Sequence, residues 1–295
     1  MILALTGGTG FVGRHLLDRA LAAGHQIRAL TRREQPPRDG VTWVPGDLAD
    51  PGDLARGANA LVHVAGVTNA PDRAGFAAGN IAGTATILAA AAAAGVHHFI
   101  HVSSLAAREP ALSDYGWSKA EGERLVRDSG LPWTIVRPPA VYGPGDVDQL
   151  DIFRLAQRGL ALLPPPGRMS AIMVEDLARL LLILAERDGK GALYEADDGR
   201  AMAHADYARA IGRALGRRVL TLPLPAPLLR LGARIDGLVR GPRARLTPDR
   251  AGYLAHPDWV VDPTRRPPAE LWTPRFPIDA GMAATVAWYR ARGLL

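Results

Sequence analysis

Cysteine is absent from this chain of 295 residues. The absence excludes disulfide bonds, a cysteine nucleophile and a zinc–thiolate centre. Lysine is scarce too, with two lysines and 33 arginines among 35 basic residues. The position of a lysine relative to reactive side chains is therefore informative. His97, His98 and His101 cluster without a carboxylate at ligand spacing, so we expect no metal site.

The excess of positive charge is small for a nucleic-acid-binding protein. The formal net charge is +6, from 35 basic and 29 acidic residues. The arginines are spread along the chain, without a helix-turn-helix, zinc-finger or aromatic RNA-binding pattern. We expect a small-molecule substrate and no nucleic-acid partner.

The N-terminus lacks the basic segment of a signal peptide and enters an apolar strand at residue 2. The uncharged stretch 81–96 is rich in alanine, interrupted by glycine and shorter than a bilayer span. We interpret it as a buried helix. The sequence therefore predicts a cytoplasmic protein without an integral membrane segment.

A glycine-rich turn follows the first strand. Residues 2–6 are apolar, Gly7, Gly10 and Gly13 follow, and a helical pattern continues to residue 23. Gly7 and Gly10 allow a tight turn close to a pyrophosphate, and Gly13 allows close packing of the helix on the sheet. The free N–H groups of the helix N-terminus favour the phosphates. The alternative is a glycine-rich turn without a ligand.

Strands and helices alternate through the first half of the chain. Such alternation predicts an α/β fold with a doubly wound parallel sheet covered by helices on both faces. Further strands are predicted at 26–31, 41–44, 60–64, 98–103 and 133–137, and helices at about 72–94, 114–129, 174–187, 204–215 and 279–292.

The pattern becomes irregular and proline-rich after residue 137. We place a nucleotide-binding domain at residues 1–145. Residues 146–295 are predicted to form a smaller substrate lobe, interleaved with the last sheet elements.

Tyr115 and Lys119 stand four residues apart, which places them on one face of a helix. A tyrosine normally titrates near 10. A neighbouring ammonium favours the phenolate and lowers that pKa, which gives an acid/base group usable near neutral pH. The alternative is an exposed helix face with a lysine whose side chain reaches solvent.

The end of the second strand bears on the choice of cofactor. An acidic residue there would bind the ribose hydroxyls of NAD. This chain has Thr31, Arg32 and Arg33 there, and Glu34 stands at least one position beyond the place of that acidic residue. Two arginines suit a 2′-phosphate, so the sequence favours NADP, with NAD still possible. The alternative is a pair of solvated arginines.

Several motifs together resemble the extended branch of the short-chain dehydrogenase/reductase superfamily, which includes nucleotide-sugar epimerases, dehydratases and reductases. The matching segments are 6–13, 46–48, 63–66, Asn80, 101–104, 115–119 and 137–146. The resemblance is good to about residue 180 and weaker beyond it. It implies a Rossmann domain. One departure concerns the substrate: Leu105-Ala106-Ala107-Arg108 replaces the Val-Tyr-Gly that many members have soon after the serine.

The resemblance also implies roles for single residues. The catalytic residues would be Ser104, Tyr115 and Lys119, with Ser103 as the competing serine and strand-end capping as the alternative role of the pair. The cofactor would be bound by Gly7, Thr9, Gly10, Phe11, Val12, Gly13, Arg32, Arg33, Asp47, Leu48, Val64, Ala65, Gly66, Asn80, Tyr115, Lys119 and Pro138.

Three functional interpretations follow. The first is an NADP-dependent oxidoreductase that transfers a hydride between the cofactor and a carbonyl or alcohol substrate. The second is a nucleotide-sugar epimerase or dehydratase with tightly held NAD, and the third is a non-catalytic cofactor-binding structural subunit. The arginine pair opposes the second, and the intact Ser104, Tyr115 and Lys119 oppose the third.

Two helical segments each have two possible interpretations. The alanine-rich run 89–94 and the family resemblance predict a homodimer through the helices at 72–94 and 114–129; the alternative is a helix buried on its own sheet. In segment 225–240, Leu228, Leu231, Ile235 and Leu238 share one helix face. We favour a packed helix with a solvated basic face over contact with an anionic membrane.

Overall fold

Short apolar strands alternate with helices through the first 137 residues of the computed structural model, which describes residues 1–241, 244 and 246–295. The chain divides into two compact units. Unit 1 comprises Met1–Arg137, Leu177–Glu195 and Pro267–Trp272; unit 2 comprises Pro138–Asp176, Ala196–Arg266 and Thr273–Leu295. The chain therefore first passes from unit 1 to unit 2 after residue 137, whereas the sequence places the domain boundary at residue 145.

The elements up to residue 137 are β1 (Ile2–Thr6), α1 (Phe11–Ala22), β2 (Gln26–Thr31), β3 (Val41–Pro45), β4 (Ala60–His63), α2 (Arg73–Phe76), a π-helical segment (Ala77–Ala82), α3 (Gly83–Ala93), β5 (His98–Val102), a 3₁₀ turn (Leu105–Arg108), α4 (Asp114–Asp128) and β6 (Trp133–Arg137).

The elements after residue 137 are β7 (Ala140–Tyr142), α5 (Leu150–Gln157), β8 (Leu160–Leu163), β9 (Arg168–Met169), β10 (Ala171–Met173), α6 (Val174–Ala185), β11 (Ala192–Glu195), β12 (Met202–Ala203), α7 (His204–Leu215), β13 (Leu220–Pro223), α8 (Ala226–Arg240), α9 (Pro248–Leu254), β14 (Asp258–Trp259), a 3₁₀ turn (Pro263–Arg265) and α10 (Ile278–Ala291).

The central sheet of unit 1 has seven parallel strands in the order β11-β6-β5-β4-β1-β2-β3. The predicted doubly wound Rossmann fold is confirmed. Thr6 pairs with His63, and His63 pairs with His101. Because these three strands end side by side, the loops that follow them lie at one edge of the sheet, where the strand order reverses.

The helix predicted after β4, at about 72–94, is present in the structure. α2, the π-helical segment and α3 are continuous from Arg73 to Ala93, a 21-residue helix that is long and apolar enough to cross a membrane. Residues 81–93 of the uncharged stretch form the second half of this helix, and the lack of an integral membrane segment stays a prediction. Length and composition are the only support for a span, and 39% of the apolar window is buried within the protein. Gly83, Ile87 and Ala91 are buried, whereas Ala85 and Ala89 are exposed.

Unit 2 is built from small sheets and helices. β10 pairs with β7, β13 with β8, and β12, β9 and β14 form a third sheet. Its core includes Tyr142, Phe153, Ile211, Met282 and Tyr289.

Helix α8 corrects a sequence-based expectation in unit 2. Leu228, Leu231, Ile235 and Leu238, assigned above to a packed face, are all at least half exposed. Leu229 and Ala233 are buried instead, and they pack with Ala251 of α9. The helix therefore has apolar residues on two faces, and within the described residues one of them is covered and the other is exposed.

A buried ion network joins α4 to the strands of unit 1. Glu123 is fully buried and accepts two hydrogen bonds from Arg137, at 2.6 and 2.7 Å, and one from Arg127 at 2.8 Å. Ser103 donates a further bond to Glu123 at 2.6 Å, and Arg137 also pairs with the buried Glu195 at 3.4 Å. The guanidinium groups compensate the charges of two carboxylates that are fully buried.

Removing Glu123 should destabilise the fold strongly. Glu123→Ala would remove one of the two carboxylates that neutralise the charge of Arg137. We therefore expect the free energy of unfolding to fall by about 3–5 kcal/mol. Urea denaturation followed by circular dichroism measures this change. Glu121→Ala, on the same helix, removes a surface pair with Arg124 and should cost less than about 1 kcal/mol. Equal effects of the two substitutions would contradict the structural role of Glu123.

Candidate functional site

The turn between β1 and α1 forms a cradle that only glycine permits. Gly7 adopts φ +73°, and a Cβ there would lie 2.9 Å from the backbone nitrogen of Ala65. A Cβ on Gly13 would collide with the carbonyl of Gly7. The peptide N–H of Gly10 donates to that same carbonyl at 2.9 Å. The turn is therefore held tightly against both the helix and the loop after β4.

The N-terminus of α1 is open to an anion. Its N-cap is Gly10, which offers no side-chain cap, and the first turn has no acidic residue. Free N–H groups and the helix dipole favour phosphate at such a terminus. Thr9, Phe11 and Val12 are partly buried around it. A glycine cradle leading to an uncapped helix fits the pyrophosphate of a dinucleotide.

A buried chain of hydrogen bonds connects β1, β4 and the long helix. The ring nitrogens of His63 bond Thr6 at 2.8 Å and Thr84 at 3.1 Å. Thr84 donates its hydroxyl hydrogen to the carbonyl of Asn80, so His63 Nε2–H is the donor toward Thr84. His63 Nδ1 then accepts from Thr6, whose oxygen accepts from the N–H of Ala65 at 3.0 Å. The chain fixes the start of the loop after β4.

Asn80 clamps that loop to α4. Its side chain is buried in the π-helical segment and exchanges two hydrogen bonds with the backbone of Val67, at 2.7 and 2.8 Å. It also donates to Ser118 of α4 at 2.9 Å. A π-helical turn is a frequent feature of functional sites, because the extra residue redirects a side chain.

Lys119 is buried at the carboxyl end of β5. Its ammonium donates to the carbonyl of Val102 at 2.9 Å. A Cβ placed on Gly66 would lie 3.0 Å from Asn80 Oδ1 and 3.7 Å from Lys119 Nζ, so three predicted site residues meet here. Burial lowers the pKa of Lys119 to about 8, an effect that Glu123 partly offsets. Lys119 therefore remains mostly protonated at pH 7.

The two histidines beside Lys119 are neutral. Burial, and then the charge of Lys119, lower the pKa of His63 to about 3. The same two causes lower the pKa of His101 well below its usual value. The ring of His101 stacks on His63 with centroids 5.4 Å apart. Lys119 is thus the charged group beside two neutral imidazoles.

Tyr115 lies in the first turn of α4, one helical turn before Lys119. Its ring is partly buried and lies 6.1 Å from that of Phe76, between centroids. Ser113 caps the helix by accepting from the N–H of Gly116 at 2.9 Å. A Cβ on Gly116 would lie 2.7 Å from the carbonyl of Ala106, so glycine lets α4 begin close to the segment that carries Ser104.

The two serines after β5 have different partners. Ser103 is buried and donates its hydroxyl hydrogen to Glu123. Ser104 is partly exposed and accepts from the N–H of Ala106 at 3.2 Å. Accepting that bond leaves the hydroxyl hydrogen of Ser104 for another acceptor.

The residues predicted to bind the adenosine end of the cofactor follow strands β2 and β3. Arg32 and Arg33 follow β2 and are exposed, and neither has an ion pair within the described part of the chain. Asp47 is exposed and accepts from the N–H groups of Ala49 and Asp50. These bonds lower its pKa, first through Asp50 and then through Ala49. One carboxylate oxygen of Asp47 thus shapes its own turn.

The remaining residues predicted to bind the cofactor belong to both units. Leu48, Val64 and Ala65 are partly buried in unit 1, whereas Pro138 follows β6 directly and is the first residue of unit 2. Thr6, His63 and Thr84 were missed as site-shaping residues. Thr6 and His63 stand inside the motifs quoted above, but Thr84 gives no sequence signal, because only the helix brings it over β4.

The comparisons agree with this geometry. A family model described as NAD(P)H-binding matches residues 7–182. The chain is 40% identical over 309 residues to the ceramide reductase of Caulobacter vibrioides (strain NA1000 / CB15N), covering 100% of this chain and 96% of that protein. It is 30% identical to the 4-hydroxy-2-methyl-3-oxo-4-farnesyl-3,4-dihydroquinoline-1-oxide ketoreductase of Stigmatella aurantiaca, over 66% of this chain and 67% of that protein.

Solved structures share the fold over the whole chain. MoeE5 in complex with UDP-glucose and NAD superposes with a TM-score of 0.78 at 23% identity, and the match covers 100% of this chain and 99% of that one. At this identity the likeness shows the fold alone. The family model, the full-length relative and the parallel sheet together show that the chain belongs to the NAD(P)H-binding family, as an oxidoreductase of the extended short-chain dehydrogenase/reductase type.

Proposed function

We propose that the protein is an NADPH-dependent reductase of a ketone on a long-chain lipid of the ceramide class. The observation that carries the substrate class is the 40% identity, over the whole of this chain, to a ceramide reductase. The composition of unit 2 supports it, because ten of the eleven exposed large hydrophobic residues in the described chain belong to that unit.

Tyr115 is the proposed proton donor. When bound, NADPH supplies a hydride to the carbonyl carbon, and the carbonyl oxygen then needs a proton to become the alcohol. The phenol of Tyr115 gives that proton. Its place one helical turn from Lys119 supports the role, because a buried ammonium stabilises the phenolate that remains.

Ser104 is the proposed hydrogen-bond donor to the carbonyl oxygen, where negative charge develops. The alternative, Ser103, has its hydroxyl hydrogen on Glu123, which favours Ser104. Lys119 has two N–H groups besides the one on Val102, and these suit the hydroxyls of the nicotinamide ribose. The glycine turn at 7–13 and the loop at 64–66 are the proposed supports for the rest of the dinucleotide.

We expect NADPH to bind more tightly than NADH. Arg32 and Arg33 are exposed at the end of β2, where a 2′-phosphate would accept charge-assisted hydrogen bonds. Calorimetric titration of Arg32→Ala/Arg33→Ala should show NADPH binding weakened by about 1.5–3 kcal/mol and NADH binding unchanged. Arg56→Ala, an exposed arginine elsewhere in unit 1, is the matched control. Equal affinities of the wild type for the two cofactors would refute NADP preference, and tightly retained NAD would favour the epimerase or dehydratase alternative.

Turnover should depend on the Tyr115 hydroxyl. The wild-type protein is expected to oxidise NADPH when given a long-chain amide lipid with a ketone in its sphingoid-base chain. Tyr115→Phe keeps the ring, so folding and cofactor binding should persist while turnover falls by roughly 100-fold or more. Absorbance of NADPH and mass spectrometry of the lipid alcohol measure the rate.

Two further results separate the roles. Lys119→Ala should impair cofactor binding and turnover together, because one side chain serves both. Full activity of Tyr115→Phe would rule out the proton donor. Turnover of UDP-glucose, with none of the keto lipid, would replace the proposed substrate class.

We also propose a homodimer through the helix Arg73–Ala93 and α4. The alanines at 78, 82, 85, 89 and 92 are exposed at alternating intervals of four and three residues, a repeat that lets two helices approach closely. Ala92→Glu would bury an unpaired charge and should give a monomer by light scattering. Ala22→Glu, at the exposed end of α1, is the matched control and should leave the dimer intact. A monomeric wild type at micromolar concentration would contradict this assembly.

A further inference from the structure

Helix α8 in unit 2 exposes a continuous apolar face. Leu228, Leu231 and Ile235 are 50–52% exposed, and Leu238 and Val239 are 87% and 77% exposed. Their spacing of three and four residues places them within about 100° of the helix circumference. An exposed apolar patch of this kind marks a surface that binds another apolar body.

The orientation of α8 is fixed by its other face. Leu229 and Ala233 are buried and pack with Ala251 of α9, with Leu246 and Leu254 around them. Rotating the helix to cover the outer face would expose these residues instead. The outer apolar face is therefore a stable property of the unit.

Two arginines lie beside this face. Arg230 and Arg234 are exposed one helical turn apart, and neither has an ion pair within the described part of the chain. Arg240 differs, because it pairs with Asp151 at 3.1 Å and Asp236 at 3.2 Å. Long arginine side chains beside an apolar stripe can reach a layer of anionic headgroups while the stripe enters the acyl region.

The preceding strand adds apolar surface in the same unit. Leu222 of β13 is opposite Leu162 of β8, and both are exposed, as is Leu220. The peptide then enters α8 after two residues. Arg217 and Arg218, just before β13, are also exposed. Apolar and basic residues thus recur together along one segment of the chain.

We propose that α8 docks the protein on an anionic lipid bilayer. A second copy of the chain is a poorer occupant, because pairing two α8 faces would bring the Arg230 and Arg234 pairs near each other. The one acidic residue of α8, Asp236, is already bonded to Arg240 and to the backbone of Leu246. The charge of an anionic membrane complements the arginines, and docking would bring the enzyme to a lipid substrate. Membrane docking is argued from the surface of unit 2, whereas its link to a lipid substrate rests on the proposed function.

Vesicle flotation of the full-length protein, without cofactor or substrate, tests the proposal. The wild type should float with vesicles of mixed phosphatidylglycerol and phosphatidylcholine, and much less with pure phosphatidylcholine. Leu231→Gln/Leu238→Gln should lower the bound fraction by roughly fivefold or more. Arg230→Gln/Arg234→Gln should reduce binding to the level seen with neutral vesicles.

The matched control is Arg209→Gln/Arg213→Gln on α7, which removes two positive charges from the same unit and should leave binding unchanged. Circular dichroism establishes that each variant is folded. Absence of wild-type binding to anionic vesicles, or wild-type binding by the α8 variants, would overturn the proposal. So would a dimer that Leu231→Gln/Leu238→Gln converts to a monomer, with no vesicle binding by the wild type.

Activity assays separate this proposal from the reductase function. The α8 variants should match the wild type on the keto lipid in detergent micelles and lose activity on the same lipid in vesicles. If no form reduces the lipid in either setting but the wild type still floats, the substrate proposal fails and membrane docking stands.

Discussion

The buried side chain of Asn80 holds together the parts on which the candidate site depends. Its amide is bonded on one side to the loop after β4 and on the other to α4. The backbone carbonyl of Asn80 accepts from Thr84, and His63 continues this link to the end of β1. The bonds that join Asn80, Ser118, Thr84, His63 and Thr6 are buried, so an unpaired member of this group would carry the full cost of desolvation. The network therefore specifies one arrangement of the ends of β1 and β4 relative to α4.

Charge is distributed unequally around that arrangement. Lys119 keeps a proton in a buried position, while His63 and His101 beside it are neutral. One turn further along α4, Glu123 is held by Arg137 and Arg127 and takes the hydroxyl hydrogen of Ser103. The same helix thus carries one cation toward the site and one fully compensated anion away from it. In the proposed mechanism, Ser104 and Tyr115 supply the hydroxyl groups.

Unit 2 follows a different physical pattern. Its interior is closed by aromatic packing, such as Phe153 against Tyr289 with ring centroids 5.0 Å apart. Its surface nevertheless retains large aliphatic side chains, most densely on α8. The proposed lipid substrate would reside in a bilayer, so an enzyme that reduces it would have to reach the bilayer surface. An apolar face flanked by arginines can bind such a surface, because the apolar side chains enter the acyl region and the arginines contact the anionic headgroups.

The sequence by itself determined the local parts of the protein. The glycines at 7, 10 and 13 require a tight turn, alternating strands and helices specify a parallel sheet, and the spacing of Tyr115 and Lys119 places them on one helix face. These are properties of neighbouring residues, so pattern and sterics suffice. The predicted roles of Ser104, Arg32 and Arg33 remain predictions, though the positions agree with them.

Only the tertiary structure decided what distant residues do for one another. Thr84, which no motif marks, meets His63 because the long helix crosses over β4. The helix predicted at about 72–94 is present from Arg73 to Ala93, but its π-helical segment at Ala77–Ala82 was not predicted. The apolar face of α8 was expected to be packed, yet α9 covers the opposite face. Helical periodicity shows that a face exists, but which face is buried depends on the neighbour that packs against it.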